Sequence, residues 1–129
     1  MSSILIDTSV WIEYFRSEDS YQIVDELIDR NLICTNDLIL TELLPYLYIK
    51  KKKELAHYML AIPRIDLHIN WDLIMHMQLQ NLKNGINKAG IPDLLILQNV
   101  IENDLALYTL DTHFKLLKEL FDFELFSEG

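Results

Sequence analysis

Four carboxylates stand out among the 20 acidic residues of this 129-residue chain: Asp7, Glu42, Asp93 and Asp111. Three of them have apolar neighbours. Asp7 follows Ile4, Leu5 and Ile6, Glu42 precedes Leu43 and Leu44, and Asp93 sits between Pro92 and Leu94. A partly buried carboxylate is costly unless it is paired or holds a metal. No lysine or arginine stands within three residues of any of the four, so a cation is the simplest partner. Oxygen donors without a histidine or cysteine framework point to magnesium or manganese rather than zinc. Such an ion activates water and stabilises a leaving oxygen in phosphodiester cleavage. Each residue alone has a plainer reading, because Asp is a preferred helix cap. Only the conjunction of four at suitable element ends argues for a site.

The elements that would position them are legible from spacing. Residues 3–6 form a short apolar run ending at Asp7 and read as a buried strand. Residues 8–15 carry Val10, Trp11, Tyr14 and Phe15 at helical spacing. A helix is expected over 21–30 and a strand over 32–35, with Asn36 capping the helix that carries Glu42. Pro45 removes a donor from that helix and should bend it. A helix over 54–61 ends at Pro63, and the alternation of Ile65 and Leu67 with polar residues predicts a strand over 64–68. Asn70 caps and Gly85 closes a helix to residue 83, with Trp71, Ile74, Met75, Leu79 and Leu82 as its apolar face. Pro92 suits the first turn of a helix reaching residue 102, with Asp93 beside it. A strand over 106–110 leads into Asp111, followed by a helix over 112–121 and a last strand over 123–126. This alternation predicts an α/β fold with a mostly parallel sheet covered by helices on both faces. In such sheets ligands bind beyond the carboxyl ends of the strands. Asp7 and Asp111 follow strands, Glu42 lies about two turns into a helix, and Asp93 opens one, so all four can converge on one edge.

Length and composition set bounds. One domain spanning 1–129 is expected, with half the residues hydrophobic and no need of disulfides. Cys34 is the only cysteine, and its apolar setting reads as simple burial. Asp7 interrupts the opening apolar run and no basic stretch precedes it, so no secretory signal is expected. No stretch is long and apolar enough for a membrane span, and a cytoplasmic location is expected. The net charge of −9 excludes a general nucleic-acid coat, since phosphate contacts need lysine and arginine. It is compatible with a nuclease whose carboxylates hold cations that in turn hold phosphate. The one basic run, Lys50 to Lys53, reads as a solvated turn or helix face, with a phosphate-contacting edge as its functional alternative.

Four segments then resemble the PIN domain in order and spacing across nearly the whole chain. They are the opening run from Ile4 through Asp7 to Ile12, the stretch Thr41, Glu42, Leu43 and Leu44, the stretch Gly90, Ile91, Pro92 and Asp93, and the run from Tyr108 through Asp111 to Phe114. The resemblance is to PIN-domain ribonucleases that serve as VapC-like toxins of type II toxin–antitoxin systems. It implies a five-stranded parallel sheet in the order 3-2-1-4-5 and hydrolysis of RNA assisted by Mg2+ or Mn2+. The implied acidic site is Asp7, Glu42, Asp93 and Asp111, with Ser9 or Thr109 orienting ligands or water. The implied partners are RNA, a cognate antitoxin and a second copy of the chain. The aromatic content near the N-terminal helices also favours a homodimer. Thr112 and His113 stand where many relatives carry a further acidic residue.

Other readings are weaker. A haloacid-dehalogenase-type phosphatase needs a second Asp two residues after the first, where Ser9 stands. A receiver domain needs an acidic pair after the first strand and an Asp closing the third, where the chain has Asp7 alone and His68. A catalytically weak or inactive PIN fold acting as a protein-interaction module is the main alternative, and the four retained carboxylates argue against it. His113 reads as an exposed residue at a helix start rather than a phosphate contact. His57, His68 and His76 lack zinc-site spacing. Trp11, Tyr14 and Phe15 read as core or interface rather than base-stacking groups.

Overall fold

A computed structural model of the chain describes residues 3–17 and 22–127. The first strand, β1 (Ile4–Ile6), is buried at every position and pairs in parallel on both sides. One neighbour is β2 (Ile33–Cys34) and the other β3 (Ala106–Tyr108), with β4 (Glu124–Leu125) outside β3, so the order is β2-β1-β3-β4. The chain leaves β1 to one side for β2 and returns on the other side for β3. That reversal opens a crevice at the carboxyl ends of β1 and β3, where α/β sheets bind ligands.

Helices flank the sheet. They are α1 (Thr8–Arg16), α2 (Gln22–Asp29), α3 (Asp37–Ile49), α4 (Lys53–Leu60), α5 (Trp71–Lys83), α6 (Ile91–Glu102) and α7 (His113–Leu117). Residue 21, the expected start of the second helix, lies outside the described residues. The expected caps are in place, as Asn36 accepts from the Ile39 N–H at 2.9 Å and Asn70 from the Leu73 N–H at 3.1 Å. Gly85 ends α5 at φ +73°, with Ile86 N–H reaching back to the Asn81 carbonyl at 2.8 Å. The third helix runs unbroken through Pro45. The last helix is a five-residue segment rather than the ten expected.

The strand expected over 64–68 is the main departure. It is reduced to one parallel bridge between Thr35 and Arg64, so the sheet has four strands instead of five. Thr35 N–H donates to the Pro63 carbonyl at 2.9 Å and Ile65 N–H to the Thr35 carbonyl at 2.8 Å. Beyond that point the segment leaves the ladder, because two buried amides on α6 take its carbonyls. Asn99 Nδ2 donates to the Asp66 carbonyl at 2.9 Å and Gln98 Nε2 to the His68 carbonyl at 2.6 Å. The bridge lies outside β2, so it keeps the place of a third strand in the order 3-2-1-4-5. Asn99 also accepts from Asn36 Nδ2 at 2.9 Å, which ties the cap of α3 to α6. Asn99→Leu leaves the buried Asn36 amide without its acceptor and the partly buried Asp66 carbonyl without its donor. A loss of about 1–3 kcal/mol in urea unfolding is expected, mainly from the orphaned Asn36 amide, and an unchanged midpoint contradicts the tie.

The apolar face expected of α5 divides in two. Ile74 and Met77 are buried, whereas Trp71, Met75, Leu79 and Leu82 are about half exposed or more, with Met75 at 61%. At about 100° per residue the two sets fall on separate stripes of one helix. By contrast, Trp11 is fully buried, and Tyr14 and Phe15 pack against the core. Tyr14 and Phe15 keep part of their surface exposed. Burial also pushes the Cys34 thiol up to about 12, in keeping with an inert core residue.

Candidate active site

Asp7 leaves β1 with its N–H on the Tyr108 carbonyl at 2.9 Å, so its backbone is fixed across the crevice. It occupies the N-cap position of α1, yet its side chain makes no capping bond. Instead Oδ2 accepts from Ser9 Oγ at 2.9 Å and from Thr109 Oγ1 at 2.8 Å. Each hydroxyl has a single proton to give. The same two oxygens receive backbone N–H groups, Ser9 Oγ from Leu110 at 3.1 Å and Thr109 Oγ1 from Asp111 at 3.0 Å. Both hydroxyls thus point their protons at Asp7, and their own 3.4 Å approach carries none. The carboxylate is buried at 7% exposure and oriented through one oxygen. Ser9 and Thr109, the residues expected to orient ligands or water, both donate to this one carboxylate oxygen.

Glu42 faces this group from the second turn of α3. It is more exposed, and Thr8 Oγ1 donates to it at a long 3.4 Å. Its carboxyl is pushed up by partial burial and then by the charges of Asp7 and Asp93, against the lowering bond from Thr8. Asp93 lies in the first turn of α6, where Oδ2 accepts from the Gly90 N–H at 3.1 Å. Its plain helix-start role is therefore real. Its carboxyl is nevertheless raised, by burial first and also by the charges of Asp111 and Asp7, with the Gly90 bond and His113 acting the other way. Asp111 follows β3 and accepts from the His113 N–H at 2.9 Å. The four expected carboxylates are thus neighbours that feel one another's charge. Among the described residues no lysine or arginine pairs with any of them.

The group missed from sequence is the His113 side chain. It is 33% exposed rather than free in solvent, with Nδ1 3.2 Å from Asp111 Oδ1 and 3.6 Å from Asp93 Oδ2. The backbone bond from His113 to the side chain of Asp111 folds the segment into a turn, and this brings a residue two positions on back over the acids. A short polar side chain ahead of a helix is the available signal, since Asp forms such turns. Asp93, Asp111 and His113 offer donor atoms that all lie within 4.8 Å of one another. The donor chemistry, mostly hard carboxylate oxygen, fits a divalent cation.

The PIN-domain family model matches residues 4–120. The chain belongs to the PIN-domain family. Solved structures with the same fold include DNA-bound VapBC from Salmonella typhimurium, at TM-score 0.72 and 15% identity over 89% of this chain and 92% of that one. VapBC2 from Rickettsia felis, bound to a promoter DNA fragment, gives 0.67 and 21% over 88% and 91%. VapC20 from Mycobacterium tuberculosis, a toxin that cleaves the sarcin-ricin loop, gives 0.61 and 14% over 88% and 94%. No curated protein is a significant match in sequence. The acidic cluster of this PIN domain sits at the crevice between β1 and β3.

Proposed function

We propose that the chain is a divalent-metal-dependent endoribonuclease and the toxin of a toxin–antitoxin pair, acting in the cytoplasm as one domain. Asp7, Glu42, Asp93 and Asp111 are its acidic site. The observation that carries this reading is the gathering of Asp7, Glu42, Asp93 and Asp111 at the sheet's reversal point with no lysine or arginine paired to any of them among the described residues. Burial and like charge both penalise such a group, and a scaffold with only binding duties has no use for it. Asp7, Glu42, Asp93 and Asp111 would hold magnesium or manganese, which would supply water activation and charge neutralisation when bound. The chain's own part is orientation. Ser9 and Thr109 hold one oxygen of Asp7 and leave the other for the ion, while Gly90 and the His113 backbone fix Asp93 and Asp111. The test is cleavage of single-stranded and structured RNA by the purified chain with each ion. Cleavage that EDTA stops supports the reading, and EDTA-resistant or absent cleavage overturns it.

Partners follow from two apolar surfaces. The outer stripe of α5, Trp71, Met75, Leu79 and Leu82, runs about 17 Å along the helix at 1.5 Å per residue and suits a second copy packed about a two-fold axis. Light scattering at micromolar concentration should give a dimer, and Met75→Lys with Leu79→Glu a monomer. A wild-type monomer contradicts the assignment. A groove of about 330 Å³ lies along α3 and α4, bordered by Leu40, Leu44, Pro45, Tyr48 and Leu60. It suits the apolar helix of an antitoxin. Thr41 lines the same groove next to Glu42, so an extended tail leaving it could set an arginine among the carboxylates. No helix of the described chain is long and apolar enough to cross a membrane.

A further inference from the structure

Three donor atoms crowd one corner of the acidic cluster. His113 Nδ1 is 3.2 Å from Asp111 Oδ1 and 3.6 Å from Asp93 Oδ2. The three residues can place one donor atom each within 4.8 Å of the others. The two carboxylates are not free to turn away. Asp93 Oδ2 is held by the Gly90 N–H and Asp111 Oδ1 by the His113 N–H. The His113 backbone N–H is bonded to the same Asp111 oxygen that its ring approaches, so ring and carboxylate are held on one side of the turn. One cation could therefore meet a donor atom from each of the three residues.

We propose that His113 is a metal ligand through Nδ1, and that its nitrogen makes this site select manganese over magnesium. The inference rests on the acidic-site reading above and adds a residue and a selectivity to it. Magnesium takes oxygen ligands in a near-ideal octahedron and gives up its waters reluctantly. Replacing one oxygen by imidazole nitrogen handicaps it more than a first-row transition ion, whose affinity for nitrogen donors is higher. The remaining histidines, His57, His68 and His76, are exposed and stand apart from this corner.

Electron spin-echo spectroscopy of Mn2+ bound to the full chain tests this directly. Wild type should show nitrogen modulation from one imidazole, changed by 15N-labelled histidine. His113→Asp restores an all-oxygen corner, and it should lose the modulation while still binding metal. Its Mn2+-over-Mg2+ preference, measured by competition, should fall about tenfold or more, the scale of altering a metal's immediate support. Bound Mn2+ without nitrogen modulation, or modulation that survives in His113→Asp, overturns the role of His113 and leaves the acidic site intact. If millimolar Mn2+ fails to bind wild type at all, the acidic-site reading falls as well. Asp93→Asn is the control that separates the two, because it should weaken both ions while His113→Asp changes their ratio.

Discussion

Asp7→Asn should retain the fold and lose at least about a hundredfold in RNA cleavage, the scale expected when a metal ligand or its support is removed. The substitution is nearly isosteric. The amide oxygen of Asn can accept from Ser9 and Thr109 as Oδ2 does now. The amide nitrogen then occupies the position of the other oxygen and presents hydrogens where a cation needs a lone pair. Loss of activity with an unchanged far-ultraviolet spectrum is therefore the expected pattern. Ser9→Ala and Thr109→Ala should fall between wild type and Asp7→Asn, since each removes one of two donors that aim the same carboxylate. Asp93→Asn should match Asp7→Asn in activity. Near wild-type cleavage by both Asn variants would remove these residues from the reaction. A cleaving Asp7→Asn with an inactive Asp93→Asn would move the site toward Asp93, Asp111 and His113.

Much of this arrangement is legible in the sequence. Buried parallel strands read as short apolar runs, so β1 and β3 and the acids that follow them were visible at once. Asn36, Asn70 and Gly85 marked helix ends because their chemistry is local. What failed was decided at a distance. The alternation of Ile65 and Leu67 predicted a strand, but α6 supplies Gln98 and Asn99 to bind its carbonyls, and nothing within residues 64–68 announces that. The apolar residues of α5 could not be sorted into inner and outer stripes by spacing alone, because both stripes are apolar. From sequence His113 reads as a solvated helix-start residue, and only the turn made by the Asp111 side chain brings it over the acids. Asp7 shows the opposite case. Its position after a strand suits a cap, yet its side chain turns to Ser9 and Thr109 and makes no capping bond.

The same cluster should also be readable in a melting curve. Asp93 has its carboxyl raised by burial and by the charges of Asp111 and Asp7, so the ionised form is disfavoured in the folded chain relative to the unfolded one. The sign follows from linkage. A carboxyl raised by folding adds stability while it is protonated, and that stability is lost as pH rises through its folded pKa. At neutral pH and without metal the fold therefore carries the cost of an ionised Asp93. Asp93→Asn removes the charge, and its amide oxygen can keep the bond from the Gly90 N–H. In EDTA at pH 7 the variant should melt above wild type. Two unit charges ~4 Å apart repel by about 1 kcal/mol in bulk water and about 4 kcal/mol at an effective dielectric of ~20. A gain of about 1 kcal/mol corresponds to roughly 4 °C for a domain of this size. The advantage should shrink as pH falls toward the ordinary carboxylate range, where wild type takes up the proton. Mn2+ should reverse the order, because an ion at a hundred times its Kd adds about 2.7 kcal/mol to whichever fold binds it, and the variant binds it poorly. If Asp93→Asn is no more stable than wild type in EDTA, its repulsion by Asp111 and Asp7 is too small to matter. If it also gains as much from metal as wild type does, Asp93 is only a first-turn helix residue bonded to Gly90, and the acidic site must be drawn without it.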